Sequence, residues 1–274
     1  MTWNVAGRSR DQPRQAAAVA AIGPDVVALQ EVTRRSLPVW TEALRAAGLV
    51  HVRSTVEEGT VPGRRRLFVL TAAREPLEEL PGPPDVPWPE RVLAVRAAGG
   101  VEILNVHSPI SPAPGLAKVH THEAVAAYLA ASDEQAVVLC GDLNTPRREM
   151  GPGDVLTFAH ESSGALRPER GERWVAAERA LVADLAGHGF ADAFRALHGY
   201  GERQASWTYP RGGGGYRLDH VLVRGLRPRA ALYAHAWREE GLSDHSALIV
   251  DLDHVEDRAA APTSGTTTTE PEDR

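Results

Sequence analysis

The stretch Ala136–Pro146, AVVLCGDLNTP, decides how the chain is interpreted. Its apolar half, Ala136–Cys140, has the length and composition of a strand that is buried on both faces. The run stops at Gly141, and Asp142 and Asn144 follow. Residues two apart on an extended chain point the same way, so this carboxylate and this amide are predicted to project together from the rim of a sheet. Taken alone, the pattern is far more typical of a strand followed by an ordinary turn rich in Asp and Asn.

Polar residues of the same kind stand beside other apolar runs along the chain. The candidate site residues collected in this way are Asn4, Glu31, His107, Asp142, Asn144, Asp219, Asp244 and His245. Carboxylates and amides without cysteine suit a hard cation such as Mg²⁺ or Mn²⁺. Two histidines, each near an acid, can move protons. The set therefore predicts metal-assisted hydrolysis of a phosphate ester.

The order of the predicted elements favours one domain of layered sheets and helices. Helices are predicted over 11–22, 36–47, 121–131 and 172–186, and strands over 25–29, 67–71, 91–96, 101–106, 136–140, 206–209, 216–223 and 246–252. The strands at 91–96 and 101–106 are expected to form a hairpin across Gly99-Gly100. Strands outnumber helices, and the helices fall between groups of strands. This pattern fits a layered domain better than a doubly wound parallel sheet.

Composition limits the class of protein without identifying it. The chain has 274 residues, of which 43% are hydrophobic and 24% are charged, as in an ordinary globular protein. Most of the net charge of −6 lies near the C-terminus, so the body neither requires nor excludes a polyanionic partner. We predict a catalytic domain over residues 1–253 and a disordered acidic tail over residues 254–274.

Cysteine content and hydropathy indicate where such a protein resides. Cys140 is the only cysteine, which excludes an intramolecular disulfide. No apolar run is long enough to span a membrane, and no signal-peptide pattern opens the chain. We therefore expect a soluble, cytoplasmic, monomeric protein.

Six short segments resemble, in the same order, the signature segments of the endonuclease/exonuclease/phosphatase superfamily. They are TWN (Thr2–Asn4), LQE (Leu29–Glu31), NVHSP (Asn105–Pro109), GDLN (Gly141–Asn144), RLDH (Arg217–His220) and SDH (Ser243–His245). The resemblance spans nearly the whole body of the chain. It implies an α+β fold, a four-layer α/β/β/α sandwich in which two mixed β-sheets lie face to face with the active site at one edge.

The resemblance also implies roles for the acidic and amide residues. Glu31 resembles the principal Mg²⁺ ligand of the family, with Asn4 close by and Asp244 as a further ligand. Asp142 and Asn144 resemble the pair that aligns the attacking water and holds a phosphate oxygen.

The histidines carry the remaining roles and leave the branch of the superfamily open. His245 resembles the essential histidine, and Asp219 resembles the acid that fixes its tautomer. His107 resembles a donor to the phosphate or leaving oxygen, a position that is histidine in the deoxyribonuclease I-like and sphingomyelinase-like branches but tyrosine in the abasic-site enzymes. By contrast, Gly189–Arg195 (GFADAFR) and Ser206–Tyr209 (SWTY) look most like the exonuclease III and abasic-site branch.

Several other motifs have simpler interpretations. Adjacent residues of an extended chain point to opposite sides, so Ser243–His245 cannot form a serine triad. Gly212–Gly215 is followed by neither a lysine nor a helix start, so it predicts a hairpin and not a phosphate loop. His120 and His122 have the spacing of a metal-binding pair, but a solvated helix start is the simpler interpretation.

Basic and aromatic residues remain as candidates for substrate binding. Arg64–Arg66 and Arg147-Arg148 could grip a polyphosphate backbone or form charged surface loops. Trp207 and Tyr216 could stack on a base or a sugar, or pack in the core. Arg217, next to Tyr216, is the third candidate contact to substrate.

The sequence thus predicts a Mg²⁺-dependent phosphoesterase, with Mn²⁺ as a second suitable ion, that hydrolyses phosphodiester bonds. A nuclease is the leading prediction, so DNA is a candidate substrate. A phosphodiesterase or phosphatase for small molecules or lipid headgroups is the alternative. A catalytically silent phosphate-binding module is the alternative from another class, although such a module has no chemical reason to keep both histidines, Asp219 and Glu31 together.

Overall fold

The computed structural model describes residues 1–8, 11–56, 67–113, 115–211 and 213–255. The predicted acidic tail lies outside these residues except for 254 and 255, and the arginine run 64–66 lies outside them entirely. Among the helices of the described ranges, none is long and apolar enough to cross a membrane.

The strands and helices of the described residues are numbered in chain order. The strands are β1 (Thr2–Asn4), β2 (Val26–Val32), β3 (His51–Ser54), β4 (Phe68–Ala73), β5 (Glu78–Leu80), β6 (Val92–Arg96), β7 (Glu102–His107), β8 (Val137–Asp142), β9 (Arg148–Gly151), β10 (Asp154–Leu156), β11 (Ala191–Asp192), β12 (Trp207–Thr208), β13 (Gly215–Tyr216), β14 (Asp219–Arg224), β15 (Leu226–Ala234) and β16 (Ala247–His254). The α-helices are α1 (Gln12–Ile22), α2 (Leu37–Ala46), α3 (Ala117–Ala131), α4 (Gly171–Val182), α5 (Ala193–His198) and α6 (His235–Glu239).

Two six-stranded sheets form the centre of the molecule. The first has the strand order β15-β16-β1-β2-β4-β3, and the second has the order β11-β14-β8-β7-β6-β5. β1 and β2 run parallel, as do β7 and β8, whereas the other neighbouring strands run antiparallel. Both sheets are therefore mixed, which confirms this part of the predicted fold.

The sheets pack face to face because their central strands are apolar on both sides. In β8, Val138 and Cys140 point into the core between the two sheets, whereas Val137 and Leu139 point to the outer face of the second sheet. This alternation explains why the run Ala136–Cys140 is hydrophobic without interruption.

Helices cover both outer faces of the paired sheets. α1 and α2 pack on the first sheet through side chains such as Val19 and Trp40. α3 and α4 pack on the second sheet through side chains such as Leu129 and Leu181. The layers therefore follow the order helix, sheet, sheet, helix, and the predicted four-layer α/β/β/α sandwich is confirmed.

The structure extends or divides several predicted elements. β2 continues past Leu29 through Glu31, because an irregularity in its pairing with β4 takes the place of a turn. α3 begins at Ala117, before its predicted start. The predicted strand over 216–223 is divided, since Tyr216 belongs to a small hairpin and the strand of the main sheet begins at Asp219.

The sequence analysis missed β3, β5, β15 and the hairpin of β9 and β10. In β15, Pro228 interrupts the pattern, and the pairing with β16 shifts register between Pro228 and Ala230. β3, β5 and β15 are edge strands of their sheets. Edge strands carry polar residues and proline, which weakens the alternation that identifies a buried strand.

A buried amide network joins the two sheets below the edge where β1, β2 and β7 end. Asn105 Nδ2 donates to the carbonyl of Leu70 at 3.0 Å. Gln30 Nε2 donates to Asn105 Oδ1 at 2.8 Å and to Thr2 Oγ1 at 2.9 Å. Asn105, Gln30 and Thr2 each lie one or two positions before a candidate site residue. Their hydrogen bonds therefore hold the ends of three strands in register with one another.

Candidate active site

Strands from both sheets carry the candidate residues to one edge of the sandwich. On the second sheet, Asp142 is the register partner of His107 on one side and of Asp219 on the other. On the first sheet, Asn4 ends β1 beside β2, which carries Glu31. We use the name edge cluster for Asn4, Glu31, His107, Asp142, Asp219 and His245.

Asp142 lies at the centre of the edge cluster and is buried. It accepts hydrogen bonds from Asn4 Nδ2 at 2.9 Å and from the backbone N–H of Asn144 at 3.0 Å. His245 Nε2 lies 3.8 Å from Asp142 Oδ2. Burial raises the pKa of Asp142 to about 7 and the nearby Asp219 adds to this effect, while His245 opposes it. The carboxyl group can therefore gain or lose a proton near neutral pH.

His245 and Asp219 form a buried hydrogen-bonded pair, with His245 Nδ1 2.8 Å from Asp219 Oδ2. The backbone of Asp219 is held by two hydroxyl groups, since Ser206 Oγ accepts from its N–H and Tyr233 Oη donates to its carbonyl. Burial lowers the pKa of His245, but the Asp219 and Asp142 carboxylates outweigh burial and raise it to about 10. The imidazole is therefore protonated at neutral pH, with Nε2 directed at Asp142.

Glu31 lies at the rim of the edge cluster in a strained backbone conformation. Its φ of 60° is in the left-handed region, which costs a non-glycine residue about 1–2 kcal/mol. Its carboxylate contacts Asn4 Nδ2 at 3.2 Å and lies 3.7 Å from His107 Nε2. Asn4 thus turns its amide nitrogen towards two carboxylates, while its oxygen accepts from the N–H of Ala6 at 2.9 Å.

His107 is buried, and its environment keeps the imidazole neutral. Burial lowers the pKa of His107 well below its usual value, and the positive charges of Arg91 and His245 lower it further.

Arg91 was missed by the sequence analysis. It directly precedes β6, and its guanidinium group packs over the Trp88 ring at 4.5 Å. Burial lowers the pKa of Arg91, and the negative charges of Glu31 and Asp142 oppose this effect. The predicted hairpin could have identified it, because pairing of Val92 with Val106 places Arg91 next to His107.

The turn after β8 depends on two backbone positions that ordinary side chains do not favour. Gly141 has a φ of 131°, and an added Cβ would overlap the backbone of Val106 on β7. Asn144 has a φ of 51°, and its Nδ2 donates to the carbonyl of Ser108 at 2.8 Å. Asn144 therefore reaches the site mainly through its backbone, while its side chain ties the turn to β7.

A buried ion pair supports this turn from below. Lys118 Nζ donates to the carbonyl of Asn144 at 2.7 Å and to Glu178 at 2.7 Å. Glu178 also accepts from Thr145 Oγ1 at 2.8 Å and from the indole of Trp174 at 2.7 Å. Lys118 is the only lysine of the chain, and its position between α3, α4 and the turn identifies it as a residue that holds Asn144 in place.

The structure does not bring Asp244 into the edge cluster. Its side chain is exposed, and Trp207 Nε1 donates to it at 3.4 Å. The reason is the alternation of an extended chain, since His245 points inwards and its neighbour must point outwards. Asp244 is therefore excluded from the metal ligands that we propose below.

Arg217 also lies elsewhere than expected, because its side chain is buried and paired with two acids. Its guanidinium group donates to Glu149 Oε2 at 2.8 Å and to Asp192 Oδ2 at 2.7 Å. Arg217 thus has no free donor directed at a substrate, and it is excluded from the substrate contacts. We use the name ion-pair network for Glu149, Asp192, Arg195, Arg217 and His220.

The aromatic candidates lie on the small hairpin of β12 and β13 beside the edge cluster. Trp207 and Tyr216 pair across the hairpin, and their rings are parallel at 6.1 Å. Tyr209 contacts both rings edge-on and is 43% exposed. Trp207 also bridges to the backbone of His245. The hairpin predicted at Gly212–Gly215 is thus present in its described residues, and it presents half-buried rings next to the catalytic histidine candidate.

The histidine pair on α3 does not form a chelating site. His120 is exposed, whereas His122 is buried with Nε2 2.7 Å from Ser108 Oγ. Burial lowers the pKa of His122 to about 3, and Lys118 adds to the effect. The predicted solvated helix start therefore holds for His120 and is wrong for His122, because α3 begins earlier and turns this face to the core.

The donor set of the edge cluster fits a hard divalent cation. Single ligand atoms of Asp142, Asp219 and His245 lie within 4.8 Å of one another. Asp219 Oδ1 is buried without a hydrogen-bond partner, and Glu31 adds a carboxylate that is 22% exposed. Several carboxylate oxygens close together, of which Asp219 Oδ1 has no hydrogen-bond partner among the described residues, suit Mg²⁺ or Mn²⁺.

Comparison with known proteins identifies the family. A family model of the endonuclease/exonuclease/phosphatase family matches residues 1–245. No curated protein sequence matches the chain.

Similar solved structures include three with the same architecture. An AP endonuclease from Archaeoglobus fulgidus has a TM-score of 0.70 at 22% sequence identity, covering 92% of this chain and 98% of that chain. The 3′ phosphatase NExo from Neisseria, bound to a product DNA hairpin, has a TM-score of 0.64 at 22% identity and covers 92% and 98%. An endonuclease/exonuclease/phosphatase from Beutenbergia cavernae has a TM-score of 0.64 at 21% identity and covers 92% and 70%.

These likenesses agree with the layered fold and with the six segments that the sequence analysis singled out. The family model covers every strand of both sheets except β16 and ends at His245, the last histidine of the edge cluster. The chain belongs to the endonuclease/exonuclease/phosphatase family.

Proposed function

We propose that the protein is a divalent-metal-dependent phosphodiesterase that hydrolyses nucleic acid. The observation that carries the proposal is the placement of one imidazole between two carboxylates at a sheet edge. His245 Nδ1 is 2.8 Å from Asp219, and His245 Nε2 is 3.8 Å from Asp142. Membership of a family of phosphoester hydrolases supports the same reaction class.

Glu31 is the proposed principal ligand of Mg²⁺ or Mn²⁺. Asn4, which bridges Glu31 and Asp142, is the proposed second ligand, for which its amide oxygen must turn to the ion. A bound ion would supply positive charge opposite the phosphate oxygens as negative charge develops on them. In the structure Asn4 Nδ2 donates to both carboxylates, and these two hydrogen bonds would be given up when the amide oxygen turns to the ion.

The remaining residues orient the reacting groups and move protons. Asp142, fixed by the N–H of Asn144, is proposed to align the attacking water. His245, oriented by Asp219, would exchange a proton at Nε2. His107, kept neutral by burial, would donate a hydrogen bond from Nε2 to a phosphate oxygen.

Nucleic acid is the favoured substrate class. The similar structures include an AP endonuclease and a 3′ phosphatase bound to a product DNA hairpin. The exposed ring of Tyr209, with Trp207 and Tyr216 beside it, offers this chain a surface on which a base can stack. Removal of a terminal 3′ phosphate from DNA is the second candidate, because NExo has the same 22% identity to this chain as the AP endonuclease.

Hydrolysis of bis-p-nitrophenyl phosphate, measured with Mg²⁺, with Mn²⁺ and with EDTA, tests the reaction class. We expect turnover that requires the ion and is lost in His245→Ala, with Asp244→Asn as the matched control from the adjacent position. Absence of metal-dependent turnover in the wild type would favour a binding module. Labelled duplex, single-stranded, abasic-site and 3′-phosphorylated DNA, compared with lipid-headgroup diesters, then separate the substrate classes.

A further inference from the structure

A positively charged cavity lies near the edge cluster, beside the turn that follows β8. It has a volume of about 480 Å³ and is bounded by the turn that follows Asn144, the loop before β12 and the glycine-rich hairpin. The arginines that line it are Arg147, Arg148, Arg195, Arg203 and Arg217. Among the described residues that line it, Glu149 is the only acid, and it already binds Arg195 and Arg217. The cavity therefore has a surplus of positive charge.

Three of these arginines have no acidic partner among the described residues. Arg147, Arg148 and Arg203 form no ion pair there, and the guanidinium group of Arg147 instead packs over Phe158 at 5.3 Å. The Nε–H groups of Arg147 and of Arg195, which is only 9% exposed, face no acceptor. Buried donors without acceptors are uncommon in folded proteins and mark places where a ligand or water completes the hydrogen bonding.

Aromatic rings complete the cavity. Tyr200, Tyr209 and Tyr216 line it, and the hydroxyl groups of Tyr209 and Tyr216 are hydrogen-bonded at 2.6 Å. Guanidinium groups together with tyrosine rings are the combination that binds single-stranded nucleic acid, because phosphates pair with the former and bases stack on the latter.

The distance between the cavity and the edge cluster corresponds to a few nucleotides of a polynucleotide chain. Tyr216 pairs with Trp207, and Trp207 bridges to His245. Two strand spacings separate Tyr216 from His245, roughly 10 Å. The rise of about 3.4 Å per nucleotide applies to stacked duplex DNA, and an unstacked strand is more extended, so this distance spans at most about three nucleotides.

We propose that this cavity is a second phosphate-binding subsite, which holds a neighbouring phosphate of a polynucleotide while the scissile phosphate lies at the edge cluster. The inference rests on the proposed function and narrows its substrate to a phosphodiester-linked chain. A headgroup diester that carries a single phosphate cannot occupy both places. Arg147 and Arg203 supply the positive charge, and the tyrosines contact the base or sugar.

The test compares a double variant, Arg147→Ala with Arg203→Ala, with a control double variant, Arg14→Ala with Arg45→Ala. The control removes two exposed guanidinium groups from α1 and α2, on the outer face of the first sheet. Binding of a short fluorescein-labelled oligothymidylate is measured by anisotropy in EDTA, where no turnover is expected. Hydrolysis of the same oligonucleotide and of bis-p-nitrophenyl phosphate is measured with Mg²⁺.

In the cavity variant we expect the Kd and KM for the oligonucleotide to rise at least about tenfold, since two charge-assisted contacts are lost. The slope of log Kd against log salt is expected to fall by about 0.7 for each lost contact. The cavity variant is expected to hydrolyse bis-p-nitrophenyl phosphate at the wild-type rate. The control variant is expected to match the wild type in every measurement.

Three outcomes overturn the inference: unchanged oligonucleotide binding, an equal loss in the control variant, or an equal loss with bis-p-nitrophenyl phosphate. Wild-type protein without any metal-dependent turnover would overturn the proposed function instead. In that case the binding measured in EDTA still decides whether the cavity holds a polynucleotide.

Discussion

The edge cluster and the ion-pair network are both buried groups of acids and bases, yet they differ in how their charges are matched. In the ion-pair network, donors and acceptors are 2.5 to 3.3 Å apart between Arg195, Arg217 and their two acids. In the edge cluster, His245 Nδ1 and Asp219 Oδ2 are 2.8 Å apart, but three further approaches between histidine and carboxylate are 3.7, 3.8 and 3.9 Å, and Asp219 Oδ1 has no hydrogen-bond partner among the described residues.

The pKa values follow this difference. Burial alone would raise the pKa of Glu149, but Arg217 and Arg195 lower it to about 2. The pKa of Asp142 is raised to about 7, because burial and Asp219 outweigh its neighbours of opposite charge. A network in which acids and bases lie within hydrogen-bond distance of one another stabilises the fold. A cluster in which several of them lie farther apart keeps its ionisable groups available for a ligand or a reaction.

The largest expected effect concerns the edge cluster. His245→Ala and Glu31→Gln are each expected to lower kcat for bis-p-nitrophenyl phosphate by several orders of magnitude, because they remove a proton-transfer group and a metal ligand. The fold should stay intact, with a thermal unfolding midpoint close to that of the wild type. Rates near those of the wild type in either variant would contradict the assigned roles.

The ion-pair network should respond in the opposite way. Arg217→Met leaves Glu149 and Asp192 buried without their shared partner, so we expect the free energy of unfolding to fall by about 3–5 kcal/mol. The exposed pair Arg227–Asp253 provides the control, where Arg227→Met should cost less than about 1 kcal/mol. Urea denaturation measures both, and equal costs would remove the distinction between the two kinds of ion pair.

The same network predicts a loss of stability in acid. The pKa of Glu149 is about 2 in the folded protein and near the ordinary glutamate value of 4.5 in the unfolded chain, so the unfolded state binds more protons between these values. Its contribution of about 3 kcal/mol is present above the unfolded pKa and disappears as pH falls towards 2. Arg217→Met should weaken this dependence in denaturation curves recorded from pH 5 downwards, and an unchanged slope would contradict the explanation.

The smallest expected effect marks the boundary of the edge cluster. Asp244→Asn alters an exposed carboxylate whose partner is Trp207. We expect kcat to change less than about fivefold and the Mg²⁺ concentration for half-maximal activity to stay constant, because exposed polar contacts contribute at most about 1 kcal/mol. A large rise in the required Mg²⁺ would return Asp244 to the metal ligands.

Residue types and local patterns were enough to find the buried strands and the candidates at their ends. The run before Gly141 and the segments around Glu31, His107 and His245 were found in this way, and the fold they imply is confirmed. The bulge that lets β2 continue past Leu29 was missed, because it depends on pairing with β4 and leaves no mark in the local sequence. Arg91 and Lys118 were missed because their importance comes from neighbours distant in the chain.

The sequence alone determined that strands of this chain are apolar on both faces and end in acids, amides and histidines, since alternation and residue type are local properties. Only the tertiary structure decided that Asp142 and Asp219 face His245, that Asp192 and Glu149 pair with Arg217, and that Asp244 faces solvent. Identical carboxylates thus came to hold opposite roles. The reason is that a charge acquires its energy from its partners and its burial, and both depend on which distant strands lie side by side.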